Sequence, residues 1–303
     1  MSLLSDTQGS PERVWSLLNL LAAHGGELNR DEAIQWLVPN IRRVSGGKPI
    51  QNPPPNPSAA KQTIGAATSL KLVATGTDSV QLSIPDVPST LEAFGDLVHA
   101  RLLKTSTDDP DYLILQVFAW FVVQCELSAG TEWIVKLSRD QLADKVVKDL
   151  QGSETGGDPI FNSTKYPFWR NWACFVGLGI DAPATLPSFF PYIYTRLARE
   201  VRRLGTTLGF DTELDPNTFL NALAPQMPYI DGGVLFNSIA SSLRMRTKTA
   251  QLSIVLSNGI RELHDDGVVT VKAPGDASDT IQLAPDPGHK LKYMKTIVIN
   301  GSV

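Results

Sequence analysis

One order of short elements occurs near both ends of this chain: three apolar rows at helical spacing, then two short β-rich runs joined by a turn. Isolated helices below roughly 12–15 residues are marginal in water. Each set must therefore bury its stripes against one another and against the following hairpin. In the first set, Ser10-Pro11 makes a helix start with proline in the first turn. Val14, Leu17, Leu18, Leu21 and Ala22 form its apolar stripe, and His24-Gly25-Gly26 stops it. Asn29 is placed to cap a second helix, with Glu32 three residues on as in a capping box. Its apolar positions are Ala33, Ile34, Leu37 and Val38, and Pro39 ends it. The polar, proline-rich stretch from Ser45 to Pro57 reads as a loop. A third helix spans Ser58 to Lys71, with Ala60, Ile64, Ala67 and Leu70 inside. Leu72-Val73 and Val80-Gln81-Leu82 read as strands around the turn Thr75-Gly76-Thr77-Asp78.

The second set starts at Asp215-Pro216, which opens a helix containing Phe219, Leu220 and Leu223. Gly232-Gly233 precedes another, with Leu235, Ile239 and Leu243 four residues apart. A third is predicted from Thr247 to His264, with Leu252, Leu256, Ile260 and Leu263 inside, ended by Asp265-Asp266-Gly267. Val268 to Val271 reads as a strand, Pro274 to Ser278 as a turn and Thr280 to Leu283 as the returning strand. Helix, helix, helix, strand, turn, strand is the order of a winged helix, whose third helix is the one offered to a DNA major groove. The two sets share order and spacing, with no residue-level identity.

The fold expected is mainly α, with N-terminal (1–87) and C-terminal (211–303) winged-helix domains flanking a helical middle domain (88–210). In the middle, helices are predicted at Leu91 to Leu103, Tyr112 to Glu126, Gln141 to Leu150, Pro167 to Val176 and Phe189 to Leu204. The glycine-rich segment Gln151 to Pro159 reads as a mobile loop. Tyr112 to Leu178 is open to a third helix-turn-helix, though no strand pair is read after it.

Composition bounds the function. At 42% apolar, 303 residues build real cores. No apolar run approaches the roughly 18 residues a membrane helix needs, and the richest, Tyr112 to Val123, is interrupted by Gln116. No secretion signal is read at the N-terminus, and Cys125 and Cys174 sit in apolar surroundings as buried free thiols do, which fits a cytoplasmic protein. A net charge of −4 argues against a nucleic-acid coat, so any DNA contact has to come from local basic patches of modest, salt-sensitive affinity.

No catalytic constellation emerges. There is no P-loop and no G-x-S-x-G elbow, and His24, His99, His264 and His289 lack partners at metal-ligand spacing. His24 and His264 fall near helix C-termini, where a cation is favoured. Asp109, Asp111, Glu132 and Lys136 loosely suggest a metal-dependent nuclease, but the Glu-to-Lys spacing is wrong. The reading is of a non-enzyme without cofactor or metal.

Basic and polar residues mark the candidate DNA contacts. Arg42, Arg43 and Lys48 flank the proline-rich loop, and Lys61, Gln62 and Lys71 lie on the first set's third helix. In the second set, Arg244, Arg246 and Lys248 lead into the third helix, and Lys272 follows on the wing. A helical wheel turns Thr247, Gln251, Ile254, Asn258 and Arg261 outward. Lys and Arg at a helix start suit phosphates, and Asn, Gln and Arg can make bidentate contacts to base edges. The cluster Arg196, Arg199, Arg202 and Arg203 includes Glu200 at helical spacing and reads as a solvated helix face.

The opening from Pro11 to Gly26, PERVWSLLNLLAAHGG, on a chain of this length resembles the DpdG family. These are accessory proteins of bacterial gene clusters that place deazapurine bases in DNA and restrict unmodified DNA. The likeness covers the whole chain in layout, through apolar helix patterns of low specificity. It offers no catalytic residue to carry over. It implies antiviral defence, with helicase-like and nuclease-like partners from the same restriction-modification cluster. DNA as a further partner is expected from the basic residues above, and no membrane from the apolar runs. A second copy of the chain is open as a partner. The alternatives are a plasmid replication initiator or transcriptional regulator with tandem winged helices, and a protein-interaction scaffold that does not touch DNA.

Overall fold

The computed structural model describes residues 2–5, 9–38, 44–45, 48–49, 57–151, 159–181, 189–246, 250–273 and 280–301. The elements begin α1 (Pro11–Ala23), β1 (Glu27–Asn29), α2 (Arg30–Leu37), β2 (Val44–Ser45), β3 (Lys48–Pro49), α3 (Ser58–Ser69), β4 (Val73–Thr75) and β5 (Ser79–Leu82). There follow α4 (Leu91–Leu102), α5 (Leu113–Leu127), α6 (Glu132–Lys136), α7 (Arg139–Leu150), α8 (Tyr166–Phe175), β6 (Gly179–Asp181) and β7 (Phe189–Pro191). The last are α9 (Tyr194–Leu208), β8 (Glu213–Leu214), α10 (Pro216–Leu223), α11 (Val234–Ser242), α12 (Ile254–Asp265), β9 (Val269–Lys272), β10 (Ile281–Gln282), β11 (Tyr293–Met294) and β12 (Thr296–Ile299). The protein is mainly helical with small antiparallel sheets. The sequence-read loop at 152–158 and the turn at 274–278 lie outside the described residues, and most of the proline-rich loop does too. Within that loop, Val44↔Pro49 and Ser45↔Lys48 pair as a short ladder.

Two compact units divide the chain: Met1–Tyr112 with Thr164–Phe175, and Leu113–Ser163 with Val176–Val303. The stretch read as a middle domain is shared between them.

In the first unit, α1 starts as its sequence requires, with Ser10 Oγ accepting from Arg13 N at 3.4 Å and Pro11 in the first turn. Val14, Leu17, Leu18 and Leu21 are fully buried. Gly25 and Gly26, at φ 76° and 95°, turn the chain so that Gly26 N donates to Leu21 O at 2.8 Å. These left-handed conformations favour glycine. They deliver β1, a strand too short to read from sequence, to pair with β5 (Leu28↔Val80). Asn29 then caps α2, accepting from Asp31 N at 2.9 Å. The sheet order is β1-β5-β4, with α1 packed on α3 and α4, and α3 on α2 and β4. Asp111 fastens the N-terminal segment to this core. Its carboxylate accepts from Ser2 Oγ and Leu3 N, each at 2.7 Å, and from Ser69 Oγ.

In the second unit the C-terminal set is built differently from its sequence reading. The strand that returns to β9 is β12 (Ile297↔Val271), whereas β10, part of the segment read as the returning strand, pairs with β11. The sheet order is β8-β12-β9, and α9 packs on α12, α10 and β12. Thus α9-β8-α10-α12-β9-β12 repeats α1-β1-α2-α3-β4-β5 strand for strand, with α11 and the β10–β11 ladder inserted. The first helix of the second set is therefore α9, part of the segment assigned from sequence to the middle, and Phe189–Pro191 is strand rather than helix. Gly259 marks the close approach of α12 to α9: a Cβ there would stand 3.0 Å from Leu197 Cδ2. A strand pair, β6–β7, does follow α8 in the chain, contrary to the sequence reading (Ile180↔Phe190).

The α9 basic cluster is partly internal. Arg196 is fully buried, donating from Nε to Val176 O at 2.8 Å and from Nη1 to Glu200 Oε1 at 3.1 Å. Glu200, also buried, accepts from the half-exposed Arg203 at 2.9 Å. Removing one partner of a buried pair strands the other charge. Glu200→Ala should cost about 3–5 kcal/mol in urea unfolding, against under ~1 kcal/mol for Arg203→Ala.

Candidate nucleic-acid interface

The first unit presents its third helix with one face open. Along α3, Ala60, Thr63, Ile64, Ala66 and Ala67 are buried, while Lys61 and Thr68 are exposed and Ser58, Gln62 and Ser69 half-exposed. These five recur at helical spacing, and the helix holds no acidic residue. Gln62 Nε2 donates to Ser58 Oγ at 2.9 Å. Beside this face, the N-terminus of α2, the β4–β5 turn and Lys61 border a cleft of about 320 Å3. Arg30, Asn29 and Thr77 line it with Lys61, against Asp31 and Asp78. Arg30 and Thr77 carried no sequence signal, since only the pairing of β1 with β5 brings the turn to α2. Lys71 is exposed beyond the end of α3, at φ 56°.

The second unit does not assemble the face that its sequence suggested. The helix starts at Ile254, where Ser253 caps it, so Arg244, Arg246 and Gln251 precede it. Lys248 and Thr247 lie outside the described residues. Arg244 and Arg246 are exposed, after α11. Gln251 is half-buried and bridges to Gln282.

Arg261 corrects the wheel outright. It is 3% exposed, and its guanidinium donates to Leu291 O at 3.1 Å, Ala284 O at 2.6 Å and Asn258 Oδ1 at 3.2 Å. The β10–β11 ladder and the chain around it cover the side that the wheel left to solvent. Asn258 remains exposed with its carbonyl engaged by Arg261, and Lys272 is paired with Glu213.

At its C-terminal end α12 exposes acidic residues. Asp265 and Asp266 are open and Glu262 is half-buried. Burial raises the Glu262 carboxyl above its ordinary range, and the neighbouring Asp266 and Asp265 push the same way, against a hydrogen bond from Tyr192. His289 Nε2 stands 3.0 Å from Asp265. Phosphates are repelled by such an end.

Other residues singled out from the sequence are placed as follows. His264 Nδ1 accepts from Val271 N at 3.3 Å, tying α12 to β9, so it links rather than caps by charge. His24 is the C-cap of α1 through its backbone. Lys136 and Glu132 pair at 3.7 Å across one exposed turn of α6. Burial pushes the Cys125 thiol up to about 12, which leaves it protonated at neutral pH. Among the described residues, no group of three or more His, Cys, Asp or Glu is arranged to hold a metal, and no helix is long and apolar enough to cross a membrane.

A mainly α protein carrying the same helix–strand order twice, with one open neutral-to-basic helix face, is the class these observations define. Residues 1–277 match the DpdG-like family, and the chain belongs to that family. No curated protein and no solved structure matches it.

Because the Arg261 guanidinium serves two buried carbonyls, Arg261→Ala should lower stability by about 2–4 kcal/mol, leaving both acceptors unsatisfied. Exposed Arg246→Ala should stay within about 0.5 kcal/mol of the parent. Urea denaturation of the two variants checks the contrast.

Proposed function

We propose that the protein is a non-catalytic winged-helix component of the Dpd system for deazapurine modification of DNA and defence against phage. Its N-terminal module contacts duplex DNA. The family membership supports the setting, and favours it over a replication initiator. The observation that carries the DNA reading is the open face of α3. Lys61 and Thr68 stand outward on an acid-free helix, with Gln62 half-exposed beside them, held by a sheet in the order β1-β5-β4 and flanked by the β4–β5 wing. In this reading Lys61 and Arg30 neutralise phosphates across the cleft, and Gln62 reaches base edges.

The acidic exposed end of α12 favours a different role for the C-terminal module, as a surface for protein partners from the same system. Charge decides between the two modules: a helix entering a groove meets a dense phosphate field, which Lys61 lowers and which Glu262, Asp265 and Asp266 oppose.

Fluorescence anisotropy with a labelled duplex over a salt series tests this. Wild-type protein should bind, with affinity falling steeply as salt rises. Lys61→Ala should weaken every sequence and reduce the salt slope by about 1, and Gln62→Ala should cost about 1–3 kcal/mol only on a preferred sequence. Arg246→Ala should leave binding unchanged. Absence of binding at low salt, or binding indifferent to Lys61, defeats the assignment.

A further inference from the structure

Within the first unit, the ends of α3 and α4 enclose a small cavity of about 70 Å3. Lys71, Arg101, Lys104 and Thr105 line it together with Asp109 and Asp111, three cations against two carboxyls. Cations at helix C-termini ordinarily cap carbonyls or offset the dipole. Here the backbone does the capping. Leu72 N donates to Ala67 O at 2.9 Å at the end of α3, and Leu103 N donates to His99 O at 3.0 Å and Lys104 N to Arg101 O at 3.0 Å at the end of α4.

Among the described residues, none of the three cationic side chains has an ion-pair or hydrogen-bond partner. The nearby acids are otherwise engaged. Asp111 is filled by Ser69, Ser2 and Leu3, and burial raises its carboxyl above the ordinary range against those hydrogen bonds. Asp109 Oδ1 accepts from Asp111 N at 2.9 Å. Lys71 also holds φ 56°, a conformation that favours glycine, immediately after the helix.

We propose that this cavity is a phosphate site, in which Lys71, Arg101 and Lys104 converge on the oxygens of one phosphate group. Its volume lies well below the roughly 300–1,000 Å3 that encloses a whole small ligand, so it takes a group and leaves the rest of the molecule outside. The source is either the backbone of a nucleic acid or a phosphorylated small molecule. Taking the backbone as the source rests on the DNA reading above, because the cavity lies at the trailing end of the helix assigned to DNA. The phosphate chemistry itself does not.

Two titrations of the full chain test this: inorganic phosphate by calorimetry, and a labelled duplex by anisotropy over a salt series. Wild type should take up phosphate, and Arg101→Ala/Lys104→Ala should bind it at least about tenfold more weakly. The same double variant should lose about 2 from the duplex salt slope. Lys71→Gly separates a ligand role from a structural one. It should melt a few degrees higher, because glycine relieves the backbone, while binding phosphate more weakly. Phosphate uptake that depends on these residues without duplex binding upholds the site, assigns it to a small phosphorylated molecule and defeats the DNA reading. No uptake by wild type, or equal uptake by wild type and the double variant, overturns the site. Duplex binding that still depends on Lys61 would then leave the DNA reading standing.

Discussion

Helix α5 is the constraint on which the second unit is built. From Leu113 to Cys125 every residue but Gln116 is buried, so the helix is apolar nearly all round and has no face to give to water. Such a helix is stable only when enclosed. The surrounding elements are arranged to do that: α11, α12 and β7 pack against it, with Phe118 edge-on to Tyr229 at 5.1 Å. Its few polar obligations are met locally. Trp120 Nε1 and Gln124 Nε2 both donate to Asp149 on α7, at 2.9 and 3.0 Å. At its C-terminal end, Glu126 accepts from Ile254 N at 3.2 Å, beside Asp231, which holds the Ser253 amide at 2.7 Å. Burying α5 thus fixes where α12 begins. Part of its cover, α11 and α12, comes from the C-terminal part of the chain, and part, α7 and β7, from the stretch read as the middle.

The same enclosure changes what the C-terminal module can do. Its strands and helices follow the N-terminal order, yet its third helix is packed by α5, α9 and β9 and overlaid near Arg261 by the residues around Ala284 and Leu291. In the N-terminal module the β2–β3 ladder stands between α2 and α3, and α3 keeps one polar face. Two modules with one topology therefore present opposite chemistry: an acid-free helix face in one, and a helix whose exposed end is acidic in the other. The net charge of −4 is a total over the whole chain, and hides the difference.

A comparable division appears among the arginines. Arg196 and Arg261 are both spent inside the protein, on a buried carboxylate and on backbone carbonyls. Arg101, with Lys71 and Lys104, lines a cavity and has no protein partner among the described residues. Counting basic residues along a helix cannot distinguish these uses. The deciding quantity is which acceptors lie within reach once the chain is folded.

The sequence by itself determined the local elements where short-range chemistry is decisive. Ser10-Pro11 started α1, Asn29 capped α2, Asp215-Pro216 opened α10, and the β4–β5 hairpin formed around its turn, because caps and turns act over three or four residues. The apolar stripes of α1 and α3 were legible for the same reason. Of the candidate face, only Lys61 and Gln62 were legible, because they share one helix with a clear inner row. Partner choice was decided by the tertiary structure. Apolar periodicity states that α9, α10 and α11 each bury a face but not against which neighbour, so the first helix of the second module and its returning strand, β12, were misassigned. Arg261 was read as outward because a wheel knows one helix and not the later segment laid across it. The convergence of Lys71 with Arg101 and Lys104 depends on the packing that holds α4 to the N-terminal module, and nothing in their spacing along the chain encodes it.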